Sequence, residues 1–428
     1  MNIIQGTSLM EVKYTSGKLK RGGERPYSYF VERGQEFVKQ NKTKCAMPFN
    51  HMAVRPNGTI FPCCYWSWDA NDLTEAADLN IDHPDPFNHP YMKKVRQKML
   101  NNEYVDGCKR CYKDEEITGT SMRVQMAEQG YYEGLDYVHE GGDIKLTNMD
   151  ISISNACNNK CRMCGPELST QWYGDAKKLG WGEFFDISGI KSNPLLDRDL
   201  SELKHVKLLG GEPLMEQKQI IKILSQVDLS QFTMKLVTNT TLLPSDELMS
   251  YLSQCRQLSI DLSVDAYGEL NSFLRKNSKW PEVNKNIDWW IETAKKYEWE
   301  INYASVISIY NCNKMMEFIE YLTGKGILGH FHLINGPAYM RPRNLPEDCK
   351  PKLKEQLESE LAIVSQYRDG SQDYLTDIYK QVLNELDQKG SFGYFVEQDL
   401  MMAKVRNEHY IDVNPELFEL MYGFLPKR

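Results

Sequence analysis

The sequence predicts an α/β protein with a parallel central sheet, on two observations. Six short β-rich runs succeed one another from about residue 149: "MDISISN", "HVKLLGG", "FTMKLVTN", "QLSIDLSV", "INYASVISI" and "GHFHLING". Amphipathic helical stretches such as "MEQKQIIKILSQV" and "NKMMEFIEYLTGKG" lie between them. Strands that alternate with helices are joined by right-handed crossovers, giving a doubly wound sheet or a barrel-like arc. In either arrangement ligands bind at the carboxyl ends of the strands.

Taken in chain order, residues 1–44 are polar and lack clear periodicity. "MAVRPNGTIFP" then reads as a β-hairpin, because apolar residues flank Asn57-Gly58, a pair suited to a type I′ turn. The six strands follow. After "RPRNLP" the chain turns helical, with 3.6-residue periodicity in "CKPKLKEQLESELAIVSQY" and "DYLTDIYKQVLNELDQKG". A chain of 428 residues with 41% hydrophobic content can bury a sizeable core over two or three domains. The net charge of -8 leaves no footprint for nucleic acid or an anionic membrane. The first thirty residues lack the apolar core of a signal peptide, and no window has the roughly 18 apolar residues of a membrane span. A cytoplasmic location without a membrane partner is therefore expected.

Eleven cysteines in such a compartment point to metal ligation rather than disulfides. Eight fall in two groups, Cys45/Cys63/Cys64/Cys108/Cys111 and Cys157/Cys161/Cys164, while Cys255, Cys312 and Cys349 read as small buried hydrophobes. The second group, Cys157-x3-Cys161-x2-Cys164, follows the first strand of the sheet, at the edge where an active site is expected. Structural zinc takes four closed ligands, and the nearest histidines, His139 and His205, are far off in sequence. A 4Fe-4S cluster on three cysteines keeps one iron open for a ligand.

This loop resembles the signature of the radical S-adenosylmethionine (radical SAM) enzymes. The resemblance implies that the open iron chelates the amino and carboxylate groups of S-adenosylmethionine and delivers one electron to its sulfonium, yielding methionine and a 5′-deoxyadenosyl radical. Met163 stands where the family usually has an aromatic residue beside the adenine. "LLGGEPL", with Gly210, Gly211 and Glu212, is similar to the family's motif for the methionine ammonium. "VTNTT" and "DLSVDAYGELNSFLRK" place Asn239, Ser263 and Asp265 at the same edge. By the resemblance, Ser263 and Asp265 hold the ribose hydroxyls and Arg275 pairs with the methionine carboxylate. Asn311, His330 and His332 carry weaker signals, and the two histidines read as satisfied or solvent-facing. No catalytic substrate base is assignable.

The first cysteine group runs Cys45-x12-Gly58-x4-Cys63 and then Cys108-x2-Cys111, four thiols for one closed site, with Cys64 as a spare. Chemistry alone leaves zinc ribbon and iron-sulfur site open. The pattern, with the helix in "FNHPYMKKVRQKML", resembles the auxiliary-cluster module of SPASM and twitch radical SAM enzymes, in a subgroup that carries it before the barrel. The resemblance implies a partial (β/α)6 TIM-like barrel over 145–345, a hairpin-and-helix cluster domain over 45–125, a polar extension over 1–44 and a helical extension over 346–428. It further implies a second 4Fe-4S cluster, oxidation or modification of a peptide or small-molecule substrate, and an electron donor such as flavodoxin or ferredoxin. The rival expectation is a zinc-ribbon protein that binds nucleic acid without catalysis.

Overall fold

The structure, a computed structural model, describes residues 27–68, 74–128, 143–187, 189, 193–327, 329–367 and 372–422. Its centre is one sheet of eight strands: β1 (His51–Val54), β2 (Ile60–Phe61), β3 (Asn148–Ser152), β4 (His205–Leu209), β5 (Thr233–Thr238), β6 (Gln257–Ser263), β7 (Glu300–Ile307) and β8 (Gly329–Leu333). The spatial order is β2-β1-β3-β4-β5-β6-β7-β8, and every pair is parallel except the β1–β2 hairpin. All six expected strands are present, with helical crossovers between successive strands, in the sequential order of an open barrel.

Alternation along the strands sets the two faces. Val206 and Leu208 on β4, Met234 and Leu236 on β5, and Leu258, Ile260 and Leu262 on β6 are buried in one continuous core. Their neighbours in the period-two pattern, Lys207, Lys235 and Ser259, are less buried and lie in register with one another. The apolar positions face the crossover helices and the polar ones face the concave side.

The N-terminal hairpin joins this sheet, with His51 to Val54 of β1 registered against Asn148 to Ile151 of β3. Its core residues Met52, Val54 and Ile60 belong to the same cluster as the barrel strands. The turn differs from the expected type I′. Gly58 has φ +80, Asn57 does not have positive φ, and the Gly58 N–H donates to the Arg55 carbonyl at 3.0 Å. With Pro56 presetting the first corner, this is a type I turn completed by a left-handed glycine.

Within the polar extension Tyr27–Gln40 is helical; residues 1–26 lie outside the described residues. This helix crosses the Met122–Glu128 helix at Gly34, where a Cβ would come within 2.5 Å of the Ala127 backbone. Its contact face centres on a residue without a side chain, which masks the periodicity. At the other end, the helices Lys350–Val364, Gln372–Leu386, Phe392–Arg406 and Pro415–Tyr422 gather a second core that also takes in Leu274, Ile307 and Tyr310. Among the described residues, no helix is long and apolar enough to cross a membrane.

Candidate functional site

β3 delivers the chain into the three-cysteine loop. Two backbone bonds fix the loop against the segment after β6: Lys160 N–H to the Lys276 carbonyl at 2.9 Å and Arg162 N–H to the Leu274 carbonyl at 2.7 Å. The Trp172 indole N–H donates to the Cys161 carbonyl at 3.0 Å, and the Ser169 hydroxyl to the Asn159 carbonyl at 2.6 Å. Donors also point at sulfur: Asn159 N–H at 3.4 Å and Asn239 Nδ2 at 3.8 Å from Cys157 Sγ, and Arg275 Nη1 at 4.0 Å from Cys161 Sγ. Burial pushes the Cys157 and Cys164 thiols up to about 12, so metal binding must displace their protons.

The later strand ends converge on this loop. Gly210 (φ +79) and Gly211 (φ +48) adopt backbone conformations that side chains disfavour. A Cβ on Gly210 would lie 2.4 Å from Ser152 Cβ, and one on Gly211 would lie 2.2 Å from the Ala156 carbonyl oxygen. The Glu212 N–H donates to that same Ala156 carbonyl at 2.8 Å. Glu212 is fully buried, and its carboxylate accepts from Asn239 N–H at 2.6 Å, Thr238 Oγ1 at 2.9 Å and Leu214 N–H at 3.0 Å. Desolvation raises its pKa to about 7 against those donors.

Asp265 and Arg275 form a buried ion pair, Nε to Oδ2 at 2.7 Å, and Asp265 Oδ1 also accepts from Val306 N–H at 2.9 Å. These two carboxylates are therefore braces: Glu212 ties β4 to β5, and Asp265 aims Arg275 at the cysteine loop. Both carboxylates thus hold protein partners beside the place where the resemblance puts the ligand. Asn239 also donates to Asn158 Oδ1 at 2.8 Å, which ties β5 to the loop a second time. Ser263 ends β6, half-buried, on the concave side. Met163 is half-buried against the second core. Asn311 donates to the Asp265 carbonyl at 2.7 Å and is structural.

Sequence reasoning missed the residues that hold the loop from behind. Arg162, between Cys161 and Cys164, is 1% exposed and lies 3.8 Å over the Phe273 ring. Its guanidinium reaches Glu408 at 2.7 Å and Asp399 at 3.5 Å, both in the C-terminal extension. Arg406 pairs with Asp175 at 2.8 Å and covers the Trp172 ring at 4.5 Å, while Lys160 meets the other Asp175 oxygen at 2.8 Å. An arginine inside the cysteine motif was the available signal. Its acidic partners lie some 240 residues away, Asp399 in the Phe392–Arg406 helix and Glu408 in the loop just after it.

At the opposite, amino end of β1 lies the other thiol group. Cys45, Cys63, Cys108 and Cys111 line one cavity with Arg123 and Tyr65, whereas Cys64 turns away and hydrogen-bonds Asp150. Arg123 supplies positive charge, held by Glu115 and by the carbonyls of Asn41 at 2.9 Å and Lys44 at 3.0 Å.

Thiol separation bears on the metal. Thiolates bound to one zinc ion at about 2.3 Å stand about 3.8 Å apart at tetrahedral angles. Among the described residues, only Asp78, His83 and His89 form a trio of ligand atoms mutually within 4.8 Å, so no three cysteine sulfurs do. Both thiol sets are thus wider than the spacing that a single bound ion imposes. The Asp78 trio is itself unsuited to a metal. His89 Nδ1 accepts the Tyr91 N–H at 3.0 Å and its Nε2 meets Asp78 at 2.9 Å, while His83 Nδ1 accepts the Asp85 N–H at 3.2 Å. These rings cap and brace the start of the Pro90–Leu100 helix.

The open α/β barrel carries three thiols at the carboxyl ends of its strands and four at the other end. The family model described as the Radical SAM superfamily matches residues 151–322, and that of the iron-sulfur cluster-binding (SPASM) domain matches residues 45–112. The chain belongs to the radical SAM superfamily, with its SPASM domain ahead of the barrel. Comparison with curated proteins finds no match. Among solved structures it is similar to anSMEcpe with bound AdoMet and Cp18Cys peptide, at 17% identity over 50% of this chain and 60% of that one, TM-score 0.32. It is also similar to Streptococcus suis SuiB bound to S-adenosylmethionine, at 12% identity over 73% of this chain and 67% of that one, TM-score 0.32. The chain thus spans 60% of the length of the first of these.

Proposed function

We propose that this radical SAM enzyme binds S-adenosylmethionine at a 4Fe-4S cluster on Cys157, Cys161 and Cys164, abstracts hydrogen from a peptide or small molecule, and uses a second 4Fe-4S cluster on Cys45, Cys63, Cys108 and Cys111. The observation that carries this reading is the difference in ligand number. The loop at the strand ends has three thiols with Gly210–Gly211, Asn239 and Arg275 gathered beside it, and the opposite cavity has four. When bound, the first cluster supplies the electron that cleaves S-adenosylmethionine.

The chain's own residues do the rest. Arg275, oriented by Asp265, offers its guanidinium to the methionine carboxylate. The Gly210–Gly211 turn lets main-chain carbonyls approach the ammonium, braced by Glu212. Ser263 and Asn239 offer short polar groups to the ribose, and Met163 its backbone to the adenine. Arg123 offsets thiolate charge at the second site. The electron donor would be a flavodoxin- or ferredoxin-type protein.

The test is anaerobic reconstitution. Wild-type protein should hold about eight irons and form 5′-deoxyadenosine under reduction. Alanine at Cys157, Cys161 and Cys164 should abolish that product, and alanine at Cys108 and Cys111 should spare uncoupled cleavage. Colourless, zinc-loaded protein would sink the proposal. Deuterium transfer into 5′-deoxyadenosine from candidate pools would identify the substrate.

A further inference from the structure

The concave face of the sheet is charged. In register across three strands, Asp150 of β3 stands beside Lys207 of β4, and Lys207 beside Lys235 of β5. Asp261 of β6 meets Lys235 at 2.8 Å. His330 and His332 of β8 are exposed, yet both lie within electrostatic reach of Lys207, Lys235 and Asp261. Rings that water reaches, set among side chains of three other strands, line a chamber rather than an outer surface. The three-thiol loop stands at the chamber's carboxyl end and the four-thiol cavity at its amino end, where Cys64 bonds Asp150.

Two groups in this chamber are incompletely satisfied, although Asp261 Oδ2 is paired with Lys235. Asp261 is 6% exposed, and its Oδ1 is buried without a hydrogen bond. Lys207 feels Asp150, Asp261 and Cys64 electrostatically, but among the described residues it makes no ion pair or hydrogen bond. An unsatisfied acceptor and an unpaired ammonium in one chamber call for a ligand with complementary groups. We propose that the chamber binds its substrate through a carboxylate seated on Lys207, with Asp261 Oδ1 accepting a hydrogen bond from a donor on the same molecule. A phosphate dianion suits the site poorly, since the one free ammonium compensates a single negative charge. The substrate class is a peptide or amino-acid-like molecule bearing a carboxylate. This rests on reading the barrel as the reaction chamber.

Cys64 is a built-in reporter, lying beside Asp150 and within electrostatic range of Lys207. In the cluster-loaded protein, alkylation of Cys64 by iodoacetate and by iodoacetamide is followed by mass spectrometry of its peptide. The ratio of the two rates cancels the thiolate fraction and leaves the chamber's preference for a carboxylate. Lys207→Met should lower that ratio about tenfold, Lys207→Arg should keep it, and added salt should compress it in the wild type. A ratio unchanged by Lys207→Met, a wild-type ratio indifferent to salt, or a Cys64 inert to both reagents would overturn the proposal. If the methionine variant loses iron, the wild-type salt series still decides. Alkylation needs no S-adenosylmethionine cleavage. A lost preference with intact cleavage therefore overturns this inference alone, and an intact preference without cleavage overturns only the enzymatic reading.

Discussion

Replacing Arg162 by Met should loosen the cysteine loop without touching a ligand. The guanidinium is fully buried, reaches Glu408 and Asp399, and stacks on Phe273. Removing one partner of a buried pair costs about 3–5 kcal/mol, because the charge left behind is uncompensated. Two features hold the loss to the lower end. Glu408 keeps Lys276 at 2.8 Å, and burial already raises the Asp399 pKa, so that carboxyl can take up a proton once Arg162 is gone. A loss of about 3 kcal/mol, confined to opening of the loop, raises the open population about 100-fold. The assay is anaerobic release of iron to a chelator from the three-thiol site, followed by its spectroscopic signal. Release should accelerate about 100-fold in Arg162→Met and less in Glu408→Gln, where Asp399 still pairs with the arginine. The N-terminal site should keep its wild-type rate. Release from the loop within threefold of wild type would refute the clamp.

Three further outcomes follow from the geometry. Cys63→Ala should lose the iron of the N-terminal site while Cys64→Ala retains it, measured as iron per chain, because only Cys63 lines the cavity. Gly211→Ala should lower S-adenosylmethionine binding more than tenfold while keeping cluster iron, because its Cβ would sit 2.2 Å from the Ala156 carbonyl oxygen at φ +48. Glu212 gives a pH dependence. Its pKa rises from 4.5 to about 7 on folding, so the native state holds a proton that the unfolded chain has lost. Stability of the apoprotein should fall as pH rises through that window, by at most about 3 kcal/mol. Denaturation midpoints from pH 5 to pH 8 check the slope, which Glu212→Gln should flatten.

The barrel was legible in the sequence because each strand carries its own signal: short β-branched runs, period-two alternation and a helical stretch before the next run. "HVKLLGG" shows the principle, since Val206 and Leu208 are buried and Lys207 faces the concave side. The cysteine spacings were legible for a related reason, since a cluster demands its ligands at short, fixed separations. Asn239 could be placed because it follows a strand end and Arg275 by the resemblance, and the structure brings both to the sulfurs. What could not be read were relations across long separations. The hairpin's pairing of β1 with β3 depends on a neighbour nearly 100 residues away. The type I′ expectation failed because Asn57-Gly58 alone does not reveal that Pro56 sets the corner.

The carboxylates show most clearly where local reading stops. Sequence places Glu212 and Asp265 at strand ends facing a cofactor, and both positions do lie beside the cysteine loop. Whether such a carboxylate touches ligand or protein depends on donors from the next strand. Glu212 is taken by Thr238 and the Asn239 N–H, and Asp265 by Arg275 and the Val306 N–H. Each is thereby fixed in a buried place where an uncompensated charge would be costly, and each fixes the group that points onward. The same logic applies to Asp399, in the Phe392–Arg406 helix, and Glu408, in the loop that follows it, which reach the cysteine loop through Arg162. A cofactor site at the rim of an open barrel needs its backing supplied from outside the barrel. In this chain the C-terminal extension supplies it, which is why two acidic residues there bear on the chemistry of a loop some 240 residues before them.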